Sequence, residues 1–334
     1  MFRRVLQLLG VVAVEVRDVL VETLEGDGAL DWLLDVLLLD LPSGLRRRMR
    51  EATPARVARA LVRGVRPDGP QRGPELADLF DLTPLPNWCF QRDPQVVLGG
   101  GVLFCAMASE ARHRESMLAR LMFRFHPQFA EVPVLFDPLR TDREQTLFTG
   151  VRPPLLEGGD VLVLSPDVIA VGESERTNRT AIQHLARALA RREDGPRHLV
   201  IVPLPRSRAY MHLDTLITPV DRDACLIFPP VLTEPGRERA VAYVCDLHSA
   251  TPDEPRETPG LLEALAGLGI DLRPIPCGGP DRVTQQREQW TDGANALAIA
   301  PGLITLYDRN IGTAEQLDRE GFRVVEAKNL LLGR

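Results

Sequence analysis

Lysine is all but missing from this chain: Lys328 is the one lysine among 40 basic residues. Arginine in its place reads as the coding bias of a GC-rich genome, so a single arginine carries little information by its type. A cationic surplus is missing too. The formal net charge is -6, and no basic stripe is interleaved with aromatics, which make up 5% of the residues. That excludes a grip on phosphate backbones, and with it nucleic acid as a partner. The five cysteines (Cys89, Cys105, Cys225, Cys245, Cys277) form no CxxC and no regular spacing. Their pattern excludes a zinc site and a disulfide framework, and it suits the reduced thiols of a cytoplasmic protein. No run approaches the roughly 20 apolar residues of a membrane span. The opening Met1-Phe-Arg-Arg resembles the start of a signal peptide, but Glu15, Arg17 and Asp18 interrupt the apolar stretch and no small-residue cleavage site follows. A helix over 2–10 running into a strand over 11–16 is expected instead.

What is present is size and repetition. With 334 residues, 44% of them hydrophobic, the chain can bury a large core and lies between one big domain and two ordinary ones. A strand-turn-strand-helix pattern recurs four times. Residues 87–105 read as two strands around Gly99-Gly-Gly, followed by apolar residues at helical spacing (Met117, Leu118, Leu121, Met122, Phe125) up to His126-Pro127. The second copy has strands at 161–164 and 169–172, a helix over 178–191 and a strand at 199–202. In the third, which runs from Met211, a turn at Asp221-Arg-Asp223 leads to a strand at 225–228, a looser Pro-rich stretch and a helix over 261–268. The fourth has a strand at 303–307, a helix over 313–320 and a strand at 322–325. With the helix and strand at the N-terminus as a further partial copy, the pattern predicts an α/β propeller of five pseudo-symmetric ββαβ modules, the first and last incomplete. Its expected extent is 1–24 and 85–334. Residues 25–84 carry only helical patterns and read as an inserted helical subdomain.

Three of the four copies open on acidic residues: Phe90-Gln-Arg-Asp93, Glu157-Gly-Gly-Asp160 and Met211-His-Leu-Asp214. Singly, each is equally a turn, a cap or a satisfied histidine. Repetition raises the functional reading, because turns alone do not need acids at equivalent places. Carboxylates and a histidine facing one cleft suit a guanidinium, which is planar, permanently charged and forked. Asp93 and Asp214 are the candidates for its edges. Its central carbon is a poor electrophile that favours thiolate attack. His212 is the candidate proton donor and later base, with Glu157 as the carboxylate that keeps it protonated. Arg112 and Arg176, at matching points before the helices of successive modules, are candidates for a substrate carboxylate.

At these residues the chain resembles the arginine deiminases of the guanidine-modifying superfamily. The resemblance rests on Pro86-Asn-Trp-Cys-Phe-Gln-Arg-Asp93, Leu156-Glu-Gly-Gly-Asp160, Glu175-Arg-Thr177, Met211-His-Leu-Asp214, Arg287-Glu-Gln-Trp-Thr-Asp-Gly293 and Ile299-Ala-Pro-Gly302, which follow the family's order. It implies that Asp93 and Asp214 grip the guanidinium, that His212 and Glu157 are the acid/base pair and that Asp160 supports them. Asn87, Arg112 and Arg176 would hold the amino-acid end, with Phe90 beside the aliphatic stem and Arg92 among the substrate-binding set. The implied reaction converts L-arginine and water to L-citrulline and ammonia through a covalent thiouronium, in the cytoplasm, with no metal or organic cofactor. The family's nucleophilic cysteine is expected beyond Arg334, so impaired catalysis is expected of the chain as written, and exposed strand edges imply a homo-oligomer. Cys89, read as lying on an alternating strand, is expected to be a small buried apolar residue. The rival readings are a non-catalytic arginine-binding protein, a related amidinotransferase or methylarginine hydrolase, and a scaffold that keeps only the fold.

Overall fold

The computed structural model describes residues 2–69, 73–140, 153–249 and 255–333, which divide into two compact units, Gly10–Asp137 and Met1–Leu9 with Pro138–Arg334. The first helix, α1 (Phe2–Leu8), belongs to the second of these.

The Gly10–Asp137 unit begins with helices: α2 (Val16–Glu25), α3 (Ala29–Trp32) continued by a π-turn, α4 (Ser43–Arg50) and α5 (Pro54–Arg63). Local chemistry sets their limits. In α5, Pro54 occupies the first turn, where no N–H is needed, Arg63 faces the carbonyl end, and Gly64 at φ 75° stops the helix. Val57, Ala58 and Leu61 share its buried face. A strand-turn-strand-helix-strand module follows: β1 (Gln95–Leu98), β2 (Gly101–Phe104), α6 (His113–Phe125) and β3 (Val134–Phe136), with β1 antiparallel and β3 parallel to β2. One core joins the two parts, since Leu118, Leu121 and Met122 of α6 pack with Leu20, Leu34, Met49 and Leu61.

The other unit repeats the module. Strands β4 (Val161–Val163) and β5 (Val168–Glu173) are antiparallel, and after α7 (Arg179–Ala190) comes β6 (His198–Pro203), parallel to β5. Asn178 caps α7 by accepting from Ala181 N–H. The next copy has β7 (Ile217–Pro219) antiparallel to β8 (Ala224–Ile227). The short α8 (Pro229–Leu232) leads to β9 (Ala242–Asp246) and β10 (Arg256–Thr258), which leave the module and extend the β6 edge into a five-stranded sheet ordered β10-β9-β6-β5-β4. The Pro-rich stretch, read from sequence as merely loose, therefore holds two strands. Helix α9 (Leu261–Ala266) and β11 (Arg273–Pro276), parallel to β8, complete the copy. Beyond α10 (Arg282–Gln289), β12 (Leu297–Ala300) and β13 (Leu303–Thr305) form a two-stranded sheet, followed by α11 (Ile311–Arg319) and α12 (Ala327–Leu331). The fold is thus mixed α/β, with four separate sheets among the described residues and no closed barrel.

Two expected strands are absent and a third starts late. Residues 11–15 are irregular, with Val12 91% and Val14 67% exposed, and Val16 already starts α2. Residues 322–325 are irregular as well. Among the described residues neither segment has a strand to pair with, and an unpaired strand has no ladder to hold it. Residues 86–94 form successive turns, in which Phe90 N–H donates to the Asn87 carbonyl at 3.0 Å, and strand β1 starts only at Gln95.

Leu61 is 1% exposed within the helical core, so Leu61→Ala should destabilise the chain by about 2–5 kcal/mol. Denaturant unfolding monitored by tryptophan fluorescence measures this, and an unchanged midpoint would contradict the packing described.

Candidate active site

Two of the acid-bearing segments adopt the same local form, a 3-10 turn just before the first strand of a module: Gly158–Asp160 ahead of β4 and Leu213–Thr215 ahead of β7. These turns bring four expected residues together. The Glu157 carboxylate is wholly buried, and its Oε2 lies 2.8 Å from His212 Nε2, with His212 7% exposed. Arg176 Nη1 stands 3.5 Å from the other carboxylate oxygen. The Asp160 carboxylate accepts from Ser174 Oγ at 2.6 Å and from Leu213 N–H at 2.9 Å, so it ties the β4 turn to the His212 turn.

Close approach here requires glycine. A Cβ on Gly159 would sit 2.5 Å from His212 Nδ1, and one on Gly172 would sit 2.5 Å from Asp160 Oδ1. Ser174 and Thr177, which sequence reading did not assign, complete the frame. Ser174 Oγ accepts from the Arg176 and Thr177 N–H groups, and Thr177 Oγ1 accepts from Glu157 N–H. Their signal lay in the Ser174-Glu-Arg-Thr177 run beside Arg176, but short hydroxyl residues in a loop are common and mark no site by themselves.

The electrostatics follow from burial. Burial pushes the Asp160 carboxyl up to about 7, against the pull of His212 and of the donors Ser174, Thr177 and Leu213. Glu157 lies in the same dry surroundings facing an imidazole and a guanidinium. A buried carboxylate with such partners can hold a proton-carrying histidine in one orientation. Asp214, half-buried on the same turn, is two residues from His212.

The Gly10–Asp137 unit holds the remaining candidates. Asp93 Oδ2 accepts from Arg112 Nη1 at 2.7 Å, and Arg112 Nε and Nη2 both donate to Glu115 Oε2, at 2.9 and 2.7 Å. Burial works against the Arg112 charge, but the hydrogen bonds to Glu115 and Asp93 outweigh it and raise its pKa. Arg112, expected at a substrate carboxylate, is thus buried and engaged by two internal acids, one of them the Asp93 expected to take a guanidinium. Glu115 was missed, although its place three residues after Arg112 at a helix start was a usable signal. Asn87, Phe90 and Arg92 are exposed on the 86–94 turns. Cys89 is exposed there too, not buried as expected, because a turn imposes no strand alternation.

The thiols differ in environment. Cys105, Cys225 and Cys277 are buried, and burial pushes Cys225 and Cys277 up to about 12 and raises Cys245. Among the described residues no group of histidine, cysteine and acid side chains could hold a metal ion, and no helix is long and apolar enough to cross a membrane.

The sequence model of the family described as arginine deiminase matches residues 1–334. The chain belongs to the arginine deiminase family. It is 37% identical over 257 residues to an arginine deiminase of Bacillus cereus (strain B4264), and 38% identical over 257 residues to one of Listeria monocytogenes serotype 4a. Each match covers 76% of this chain and 60% of the relative, so the chain spans about 60% of the length of the relatives it matches. Among solved structures it is similar to a mutant DDAH from Pseudomonas aeruginosa complexed with citrulline, at a TM-score of 0.43 and 18% identity over 80% of this chain and 88% of that one. It is also similar to the product-bound N-terminal domain of ArgZ, a cyanobacterial arginine dihydrolase, at a TM-score of 0.45 and 18% identity over 75% and 73%.

Two outcomes test this geometry. The Asp160 value of about 7 lies above the ordinary 3.8, so charging this group costs stability. The cost is absent below about pH 4, grows as pH rises and is complete above about pH 7. Asp160→Asn should remove that component, so the stability difference between wild type and variant should change across this window; a difference that stays constant with pH would contradict it. Gly159→Ala should drive the His212 ring off Glu157 at a cost of about 1–3 kcal/mol. A crystal structure of that variant with the 2.8 Å contact intact would contradict the close approach.

Proposed function

We propose that this chain recognises L-arginine and that His212 and Glu157 form the acid/base pair of arginine deimination. The buried His212–Glu157 contact, in a chain that the family's model matches throughout, carries the proposal. In this reading a thiolate attacks the guanidinium carbon, a C–S bond forms and a C–N bond breaks. His212 gives its proton to the departing ammonia, then takes one from the water that replaces sulfur, which yields citrulline and regenerates the thiolate. Asp214 accepts from the guanidinium N–H groups, Arg176 takes the substrate carboxylate and Asp160 supports the pair.

The nucleophile is the weak point for this chain. A thiol at about 12 is protonated at neutral pH and a buried one is out of substrate's reach, which removes Cys225 and Cys277 on both counts and Cys105 by burial. Cys89 is exposed and Cys245 half-buried, so impaired turnover rests instead on none of the five cysteines standing at the family's nucleophile position, and the arginine-binding reading is the second. The four strand-turn-strand-helix copies support the repeat reading of a propeller, to which residues 1–24 contribute helices and, among the described residues, no strand; helices of 25–84 as an insertion, a cytoplasmic place and pairing with a second copy rest on the family resemblance.

Arginine titrated into the 334-residue chain by calorimetry, with citrulline measured in parallel, tests the proposal. Saturable binding with citrulline many powers of ten below ordinary enzymatic turnover is expected. Absence of binding would overturn the arginine reading, and rapid citrulline release would overturn the impairment.

A further inference from the structure

The His212 turn is fastened from outside its own module. Gln289, in the last turn of α10 and 3% exposed, donates from a single amide nitrogen to two carbonyls, Ala209 at 3.1 Å and Thr215 at 3.0 Å. The two carbonyls stand six positions apart in the chain, on either side of His212 and Asp214. Both N–H groups of the amide are therefore spent on closing one loop. The amide's orientation follows, because the opposite one would place its oxygen against two carbonyl oxygens. Its Oε1 is buried with no hydrogen-bond partner, so the side chain is held as a donor at the expense of its acceptor.

The helix that presents Gln289 is itself fixed. Asp281 caps its start by accepting from Thr284 N–H at 2.8 Å, and Gln285 Nε2 donates to the Gly279 carbonyl at 2.7 Å. The buried Glu288 accepts from Gly312 N–H, Thr313 N–H and Thr313 Oγ1 at 2.7–2.8 Å, locking α10 to the start of α11. Within the clasped loop, Tyr210 Oη donates to Glu238 and Thr215 Oγ1 closes onto the His212 carbonyl.

We propose that Gln289 is a positioning residue: its amide clasps the 209–215 loop and so sets the place of His212 against Glu157 and of Asp214 beside it. The consequence for arginine rests on the acid/base and guanidinium reading above, whereas the clasp itself does not. A side chain of similar size without N–H groups should loosen the loop, and a carboxylate, which would face both carbonyl oxygens, should do so more strongly.

The test compares Gln289→Met and Gln289→Glu with wild type by imidazole nitrogen-proton NMR, below the melting temperature of each, with arginine titration alongside. The chain has six histidines, so His212 can be followed against five internal controls. The clasp predicts that the His212 ring signals shift or broaden while those of the other five stay, with a larger change in Gln289→Glu, and that arginine affinity falls about tenfold in Gln289→Met. Unmoved His212 signals in Gln289→Met overturn the clasp, as do changes spread evenly over all six histidines. Should Gln289→Glu not fold, Gln289→Met decides alone. If wild type does not bind arginine, the functional reading fails while the His212 signals still decide the clasp.

Discussion

A carboxylate with no access to water must be answered by a partner, and Glu157 organises its compact unit around that requirement. Leaving such a group unpaired costs several kcal/mol, and here the answer comes from His212 on one side and Arg176 on the other. The partners sit on different turns, so the turns must be locked. Asp160 locks the first to the second through Leu213 N–H, Ser174 and Thr177 lock the third, and Gly159 leaves the room the imidazole needs. The same dryness that makes these contacts strong lifts Asp160 to about 7. This segment accordingly trades stability at neutral pH for a fixed imidazole.

The modules explain why such residues could be found at all. Each copy makes its turn just before its first strand, so a residue type repeated at that point is repeated in space relative to its own sheet. Parallel pairing of β5 with β6 and of β8 with β11 follows from the helix that each crossover carries. Strands β9 and β10 break the pattern by joining the preceding sheet, which lengthens it to five strands and covers the β6 edge.

Legibility ended where the outcome depended on distant partners. Glu157, Asp160, Arg176 and His212 could be read because acids and a histidine recur ahead of apolar runs. Residues 11–15 and 322–325 have the composition of strands, but composition does not supply a neighbour, and both stay irregular. The 86–94 segment follows its own turns, which exposes Cys89 and Phe90 where alternation predicted one face each. Arg112 was assigned by analogy with Arg176 at the matching point of the next module, yet Asp93 and Glu115 engage it, an outcome that depends on three side chains meeting. Gln289 lay inside the Arg287–Gly293 motif but received no role, since a glutamine on a short polar helix looks like any solvated one until its two carbonyl partners, more than 70 residues away, are seen.

The central claim is that the His212–Glu157 pair and Asp214 receive a guanidinium. The most direct measurement is a crystal structure of the chain soaked with L-arginine. Guanidinium density is expected within hydrogen-bond distance of Asp214 and beside His212, with the 2.8 Å contact between His212 and Glu157 preserved. Arginine bound elsewhere, or His212 turned away from Glu157, would contradict it.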